Sequence, residues 1–201
     1  MTRRQFFSFA AAAAVSPRPV RVPLHVITDS AVPWKPHQAE PFWRHIWPET
    51  IGDFGRCGIA FDTSYTNAPI ERPANCEPIV AGLERRAINL VLTDRVPMQW
   101  DEGRALCGVT LRYRSYHLCV IALARAHRFQ VPLLSVNTCT HELLHVLLLD
   151  VFEERPGGLA GQAREFRIDW YATRMWLLHD GAAIRAMARN YLDRLSRTAG
   201  N

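Results

Sequence analysis

An apolar stretch, VNTCTHELLHVLLLDVF, runs from Val136 to Phe152 of this chain. Its leucines and valines favour a helix packed inside the protein. His141, Glu142 and His145 interrupt this apolar run within five residues. Burying two imidazoles and a carboxylate is costly unless each has a polar partner or a metal ion. The stretch therefore predicts a buried helix with either a metal site or a local polar cluster.

The spacing of these three residues fits zinc chemistry. Helical residues four apart lie on one face, about 6 Å from each other, so His141 and His145 can bind one ion. Glu142, next to the first histidine, can reach a water molecule held on that ion and act as the general base. The HExxH pattern resembles the signature of the zincins, which are zinc-dependent hydrolases. A catalytic zinc site needs a third protein ligand besides these two histidines.

The residues that directly follow the motif do not supply this third ligand. On a continuous helix, Asp150 would lie about 140° around the axis from His145 and would face away from the histidine pair. In metzincins a glycine ends the helix and a third histidine follows it. The corresponding stretch here, Val146–Val151, contains neither residue. The third ligand is therefore expected further along the chain.

A second helical pattern covers Gly161–His179 and ends with Gly181. Within it, Glu165 and Asp169 are four residues apart and share a face. This pair resembles the ExxxD element of gluzincins, the thermolysin-like group. The resemblance implies that Glu165 is the third Zn²⁺ ligand and that Asp169 orients a liganding histidine, His141. Taken alone, the pair would fit a solvated helix face with neighbouring arginines.

Five segments have the β-branched, alternating character of strands, separated by proline, glycine, asparagine or aspartate. A helix is predicted from Pro41 with a break at Pro48, and another over Ala182–Ser196. This order resembles the upper subdomain of zincins with a very small lower part. The resemblance implies an α+β, zincin-like fold: a mixed twisted sheet of about five strands, an active-site helix and C-terminal helices. The predicted strands are Val22–Ser30, Gly58–Ser64, Ala87–Asp94, Gly108–Arg114 and Tyr116–Ala124.

The first residues, MTRRQFFSFAAAAAVSPRP, have the layout of an export signal, with an apolar run too short to span a bilayer. Arg3 and Arg4 resemble the twin-arginine motif, and a Sec-type signal is the alternative. We expect a signal over about residues 1–19 and one mature domain over 20–201, exported to the periplasm or beyond, without a stable membrane span. Without these two arginines the formal charge falls from +5 to +3, which does not favour nucleic acid as a partner.

Export changes the interpretation of the five cysteines, because disulfides persist in oxidising compartments. Cys107 and Cys119 lie six residues on either side of Tyr113. A hairpin that turns there would place them opposite each other, which predicts a disulfide between them. A bridge between Cys57 and Cys76 is less constrained, and five reduced thiols are the alternative.

The expected reaction is hydrolysis of an amide bond in a peptide or protein, with Glu142 as the general base and Zn²⁺ stabilising the tetrahedral oxyanion. Zincin substrates pair with an edge strand, and Gly108–Arg114 is the candidate here. Arg112 and Arg114 would then favour acidic side chains. Another amide, such as one in peptidoglycan, would use the same groups. The alternative is an exported, non-catalytic domain in which HELLH is packed or holds a structural metal. The oligomeric state stays open.

Overall fold

A computed structural model describes residues 18–74, 76–97, 106–123, 125–126, 128–131, 134–148, 168, 170 and 181–198 of the chain. Within these ranges, the first strand is followed by one helical stretch, then by a run of strands, and a long helix ends the described part. The strands are β1 (Val20–Asp29), β2 (Ile59–Ala68), β3 (Ile70–Glu71), β4 (Ile79–Val80), β5 (Ile88–Thr93), β6 (Gly108–Tyr113), β7 (Tyr116–Ala122), β8 (Arg128–Val131) and β9 (Leu134–Asn137).

The central sheet has five strands in the order β2–β1–β5–β7–β6. β1 pairs in parallel with β2 and with β5, and β5 pairs in parallel with β7. β6 runs antiparallel beside β7, so β6 and β2 are the edge strands. The prediction of an α+β fold with a mixed sheet of five strands is confirmed. Two short antiparallel pairs, β3–β4 and β8–β9, lie outside this sheet.

One helical stretch connects β1 to β2. It consists of α1 (Pro36–Pro41), a π-helical turn (Phe42–Ile46) and α2 (Trp47–Arg56), which follow one another directly. Pro48 lies in the first turn of α2 and has no backbone N–H, so this continuous helical stretch lacks one hydrogen bond there. The break predicted at Pro48 therefore takes the form of a π-helical turn just before it.

Two further helices are described, α3 (Thr138–Leu148) and α4 (Gly181–Thr198). Asn137 caps α3, since its Oδ1 accepts a hydrogen bond of 2.8 Å from the backbone N–H of Thr140. Gly181 is the first residue of α4, and the predicted helix end before it lies outside the described residues. Among the residues that the structure describes, no helix has both the length and the apolarity required to cross a membrane.

The two faces of the sheet belong to different apolar layers, and β7 shows the division. Cys119 and Ile121 face the helices and join the larger layer, which includes side chains of α2, α3 and α4. Leu118 and Val120 face the opposite way, into a smaller layer with Tyr113 and side chains of β3 and β4. Because side chains alternate along a strand, this register also decides which residues of β6 face α3.

The register of the β6–β7 hairpin contradicts the predicted disulfide. Arg114 and Ser115 form the turn, and Thr110 pairs with Cys119. Cys107 is therefore three residues from the position opposite Cys119, roughly 10 Å along the strand and beyond disulfide reach. Both cysteines are free thiols. The prediction was wrong because the hairpin turns later in the sequence than the symmetric cysteine spacing suggests.

Candidate active site

His141 and His145 lie one turn apart on α3, and their rings converge. Their Nε2 atoms are 3.1 Å apart, and the rings meet edge to face with centroids separated by 4.7 Å. Two nitrogen ligands of a tetrahedral zinc ion are separated by about 3.3 Å, given zinc–nitrogen bonds of about 2.05 Å. The pair therefore fits two ligands of one zinc ion. The same separation allows an N–H···N hydrogen bond when one Nε2 is protonated, and zinc would replace that proton.

The surroundings of the histidine pair are mostly apolar. His141 and Glu142 are 8% and 7% exposed, and the leucines and valine that flank them on α3 are buried. His145 is half-buried. Charge interactions are stronger in such a partly desolvated setting than in water. The three polar groups therefore sit where an apolar helix reaches the protein surface.

The carboxylate of Glu142 is held by Thr110, on the edge strand β6. Thr110 Oγ1 lies 2.6 Å from Glu142 Oε2 and 2.9 Å from the main-chain oxygen of Glu142. A hydroxyl group donates one hydrogen at a time, so Thr110 donates either to the carboxylate or to the helix carbonyl. Both contacts join β6 to α3 at the same residue. Thr110 thereby fixes the position of the carboxylate relative to the histidine pair.

Gly108 allows this close approach of β6 to α3. A Cβ atom at Gly108 would lie 2.8 Å from Cγ of Glu142 and 3.0 Å from Cγ2 of Thr138. Such distances are well inside ordinary carbon–carbon contact. Any larger residue here would therefore displace the Glu142 side chain or move the strand away from the helix.

Two buried thiols lie behind Glu142. Burial raises the pKa of Cys119 well above its ordinary value and raises the pKa of Cys139 to about 12. Both thiols are therefore neutral near pH 7 and place no negative charge beside the carboxylate. Cys119 also lies 3.5 Å from the main-chain oxygen of Glu142 and 3.4 Å from Oγ1 of Thr110.

A buried polar network fixes the first turn of α3 to α2. Thr140 donates a hydrogen bond of 2.9 Å to Asp53, whose carboxylate also pairs with Arg56 at 2.5 Å. Thr50 donates a hydrogen bond of 3.0 Å to Oδ1 of the capping residue Asn137. Since Asp53 is only 1% exposed, these bonds replace the water it loses on folding. The helix that carries the histidines is therefore held at its N-terminus by specific contacts.

Glu165 and Asp169, predicted as the third ligand and its partner, lie outside the described residues. Within the described ranges, no three His, Cys, Asp or Glu side chains form a group that could hold a metal ion. Of the three predicted ligands, the described ranges contain the two histidines, His141 and His145.

The two arginines predicted to bind substrate differ in their surroundings. Arg112 is exposed and, by strand alternation, lies on the same face of β6 as Gly108 and Thr110. Arg114 adopts a left-handed φ of 55° in the turn, and its guanidinium lies 5.1 Å from the ring centre of Tyr113. That ring belongs to the opposite face of the sheet.

Sequence reasoning did not identify Thr110 or Gly108. Both are small residues at alternate positions of one predicted edge strand, a pattern that can indicate close approach of another backbone. Which element approaches them depends on tertiary packing, so the pattern alone does not reveal their contact with Glu142.

Comparison of the chain with models of known protein families, with curated protein sequences and with solved structures finds no match.

Proposed function

We propose that this protein is a zinc-dependent hydrolase, most directly a peptidase of the zincin type. In this proposal His141, His145 and Glu165 bind Zn²⁺, Asp169 orients a histidine ligand, and Glu142 is the general base. One observation carries it: two imidazole nitrogens converge within 3.1 Å beside a carboxylate that a neighbouring strand holds in place. A closed structural zinc site has no use for a base beside its ligands.

The residues of the chain have distinct tasks in this reaction. Bound Zn²⁺ supplies Lewis acidity toward a water molecule and toward the carbonyl oxygen of an amide. Glu142 accepts a proton from the attacking water and returns it to the leaving nitrogen. Thr110 holds Oε2 of this carboxylate, which leaves Oε1 for the proton transfer. The apolar flanks of α3 limit competing water around the reacting groups.

The edge strand β6 supports a peptide as the favoured substrate. Its inner edge pairs with β7, and no other strand in the described part of the chain pairs with its outer edge. An extended peptide can add to such an edge through main-chain hydrogen bonds. Because Thr110 of this strand contacts Glu142, a peptide bound there would pass beside the general base. An amide of peptidoglycan would use the same groups.

The proposal includes export. Residues 1–19 would act as a twin-arginine signal, a route that carries folded proteins and would allow zinc to be in place before transport. N-terminal sequencing of protein recovered from the periplasm or the medium tests this. A mature chain that begins at about residue 20 is expected, and an intact N-terminus would contradict the assignment.

Zinc content is the first test of the metal site. Wild-type mature protein and the Glu165→Ala variant are dialysed together and measured by plasma mass spectrometry, with Glu71→Ala, an exposed residue of β3, as the matched control. About one zinc per chain is expected in wild type and control, and clearly less in Glu165→Ala. A zinc-loaded Glu165→Ala variant would remove this residue from the ligand set, and no zinc in any sample would overturn the metal site itself.

The Glu142→Gln variant separates catalysis from metal binding. Gln keeps the size of the side chain but cannot accept the proton, so zinc should stay bound while cleavage falls by about 10² to 10⁴. A library of quenched fluorescent peptides measures cleavage, and zinc is determined on the same samples. Equal loss of zinc and of cleavage would show that Glu142 has a structural role.

A further inference from the structure

A second polar cluster lies beside the candidate site, toward the tip of the β6–β7 hairpin. Arg112 of β6 and His117 of β7 are cross-strand partners. Nδ1 of His117 lies 2.9 Å from the hydroxyl of Tyr191 on α4, and the two rings are 5.1 Å apart. Arg194 follows Tyr191 by three residues, so it lies on the same face of α4. Three elements therefore bring two arginines, a histidine and a tyrosine together.

The cluster is positively charged at neutral pH. Burial, and then the charges of Arg112 and Arg194, lower the pKa of His117 to about 4, so its ring is neutral. Burial also raises the pKa of Tyr191 above its ordinary value, so its hydroxyl keeps its proton. Both arginines are exposed. Two guanidinium groups near one histidine repel each other, and an anion between them would offset that repulsion.

The position of Arg112 relates this cluster to the candidate active site. Arg112 follows Thr110 by two residues, and the two share the face of β6 that is turned toward the helices. Residues two apart on a strand are separated by about 7 Å, and a peptide paired with β6 would repeat at the same interval. A side chain two residues from the amide beside Glu142 would therefore reach Arg112.

We propose that Arg112 and Arg194 bind the carboxylate of an acidic side chain, two residues from the bond that is cleaved. Arginine suits this task because its planar guanidinium pairs with a carboxylate through two parallel hydrogen bonds. Among the described carboxylates, none forms an ion pair with Arg112. The position of the cleaved bond rests on the proposed function, whereas the recognition of an acidic group does not.

A binding experiment tests the site without relying on cleavage. Two dye-labelled, alanine-rich heptapeptides that differ only in a central Glu or Gln are titrated, by fluorescence anisotropy, into mature protein carrying Glu142→Gln. The peptide can pair with β6 in more than one register, so a single central Glu can be placed beside Arg112 and Arg194. The Glu peptide is expected to bind about tenfold more tightly. Arg112→Gln and Arg194→Gln should each abolish most of this preference.

The matched control is Arg189→Gln, the same substitution on the same helix. Arg189 is exposed and lies about 140° around α4 from Arg194, so the preference for the Glu peptide should persist in this variant. Thermal unfolding of each variant establishes that it is folded. Loss of the preference in Arg189→Gln as well would show that net charge, and not a site, attracts the peptide.

The outcomes separate this inference from the proposed function. Equal affinity for the two peptides, or a preference that survives both Arg112→Gln and Arg194→Gln, would overturn the acidic site. If the preference depends on these arginines but wild-type protein binds no zinc, the acidic site stands and the hydrolase proposal fails. If zinc and cleavage are present without the preference, only the acidic site fails.

Discussion

Thr110 joins the edge strand to the proposed general base through one hydroxyl group. Thr110→Val keeps the shape of the side chain and removes that hydroxyl, so Glu142 loses its partner while its surroundings stay apolar. We expect kcat to fall about tenfold to a hundredfold, since a single hydrogen bond to a charged group is worth that much. Thr110→Ser should restore most of the rate. Zinc content and the kinetics of the peptide library are measured for all three proteins.

Wild-type kcat in Thr110→Val would mean that the contact with Glu142 does not position the carboxylate. A rise in KM alone would instead place Thr110 in substrate binding. Rescue by Thr110→Ser separates both outcomes from a general loss of structure, because a serine leaves a gap where the methyl group was but keeps the hydrogen bond.

Substitution by alanine should have opposite effects on stability at two glycines, Gly108 and Gly55. A Cβ at Gly108 would lie 2.8 Å from Glu142, whereas a Cβ at Gly55, on α2, would meet no atom within 4 Å. Gly108→Ala should displace Glu142 and lower cleavage about a hundredfold. It should also destabilise the protein by about 1 to 3 kcal/mol through overpacking. Gly55→Ala should stabilise it by about 0.5 to 1 kcal/mol, because alanine suits a helix better.

Urea unfolding measures both effects, and the peptide library measures cleavage. Unchanged cleavage in Gly108→Ala would show that β6 can retreat from α3 without disturbing the carboxylate.

The geometry of the histidine pair could be predicted from the sequence. The convergence of His141 and His145 follows from the helical repeat alone, and the Nε2 separation of 3.1 Å agrees with it. The contact made by Gly181, in contrast, was not predicted. A Cβ atom at Gly181 would lie 2.5 Å from the Cα of Cys57. Gly181 is required by contact between α4 and the end of α2, which no local pattern encodes.

His117 joins β7 to α4 and makes the contact between these two elements sensitive to acid. The ordinary pKa of histidine is 6.5 and that of His117 is about 4, because burial and the charges of Arg112 and Arg194 disfavour the imidazolium. Between these values the unfolded chain binds a proton that the folded chain does not. Protonation of His117 therefore leaves the free energy of unfolding unchanged above about pH 6.5 and lowers it as the pH falls toward 4.

We expect His117 to account for a loss of about 2 kcal/mol in the free energy of unfolding between pH 7 and pH 5. His117→Gln can still contact Tyr191 but does not titrate, so its loss over this interval should be smaller by that amount. Urea unfolding of both proteins at the two pH values checks it. Equal losses in the free energy of unfolding of the two proteins would show that the proton is taken up by a group other than His117.

In the β6–β7 hairpin, the residue pattern predicts the two strands but not their register. Alternation and β-branched residues predicted both strands, because these features act within each segment. The register depends on the turn, and here a non-glycine residue, Arg114, adopts a left-handed φ of 55°. No turn signal such as Asn-Gly marks this position. The cysteine spacing therefore suggested a register that the turn does not produce.

Asp29 connects the ends of several strands through its carboxylate. It is completely buried and accepts hydrogen bonds from Thr93 at 2.9 Å and from the backbone N–H of Ile70 at 3.1 Å. Its charge is paired with Arg72 at 2.5 Å. These contacts join the carboxyl ends of β1 and β5 to β3 and Arg72, which follows it.

Arg72→Leu should destabilise the protein by about 3 kcal/mol, because it leaves the buried carboxylate of Asp29 without its cation. The matched control is Arg21→Leu, which breaks the pair with Asp62. Those side chains are 67% and 49% exposed, so a loss of at most about 1 kcal/mol is expected. Urea unfolding at pH 7 compares both variants with wild type. Similar losses for the two arginines would contradict the role of burial.

The strands of the central sheet were easier to predict from the sequence than the short strands outside it. Each strand of this sheet is long enough for alternation or continuous apolarity to show, as in β5, which is buried along all six residues. β8 and β9 have four residues each and were missed, since so few positions do not establish a period. The third metal ligand, Glu165, is predicted only from the resemblance of the Glu165–Asp169 pair to the ExxxD element of gluzincins.

The free thiols have a practical consequence for handling the protein. Cys57, Cys119 and Cys139 are buried, and Cys107 is half-buried with a pKa that burial raises, whereas Cys76 is exposed. Reducing agents would break no covalent link among these cysteines, so the fold should tolerate dithiothreitol during purification. Maleimide dyes should react first at Cys76, which offers a single attachment point for fluorescence measurements on the otherwise unaltered chain.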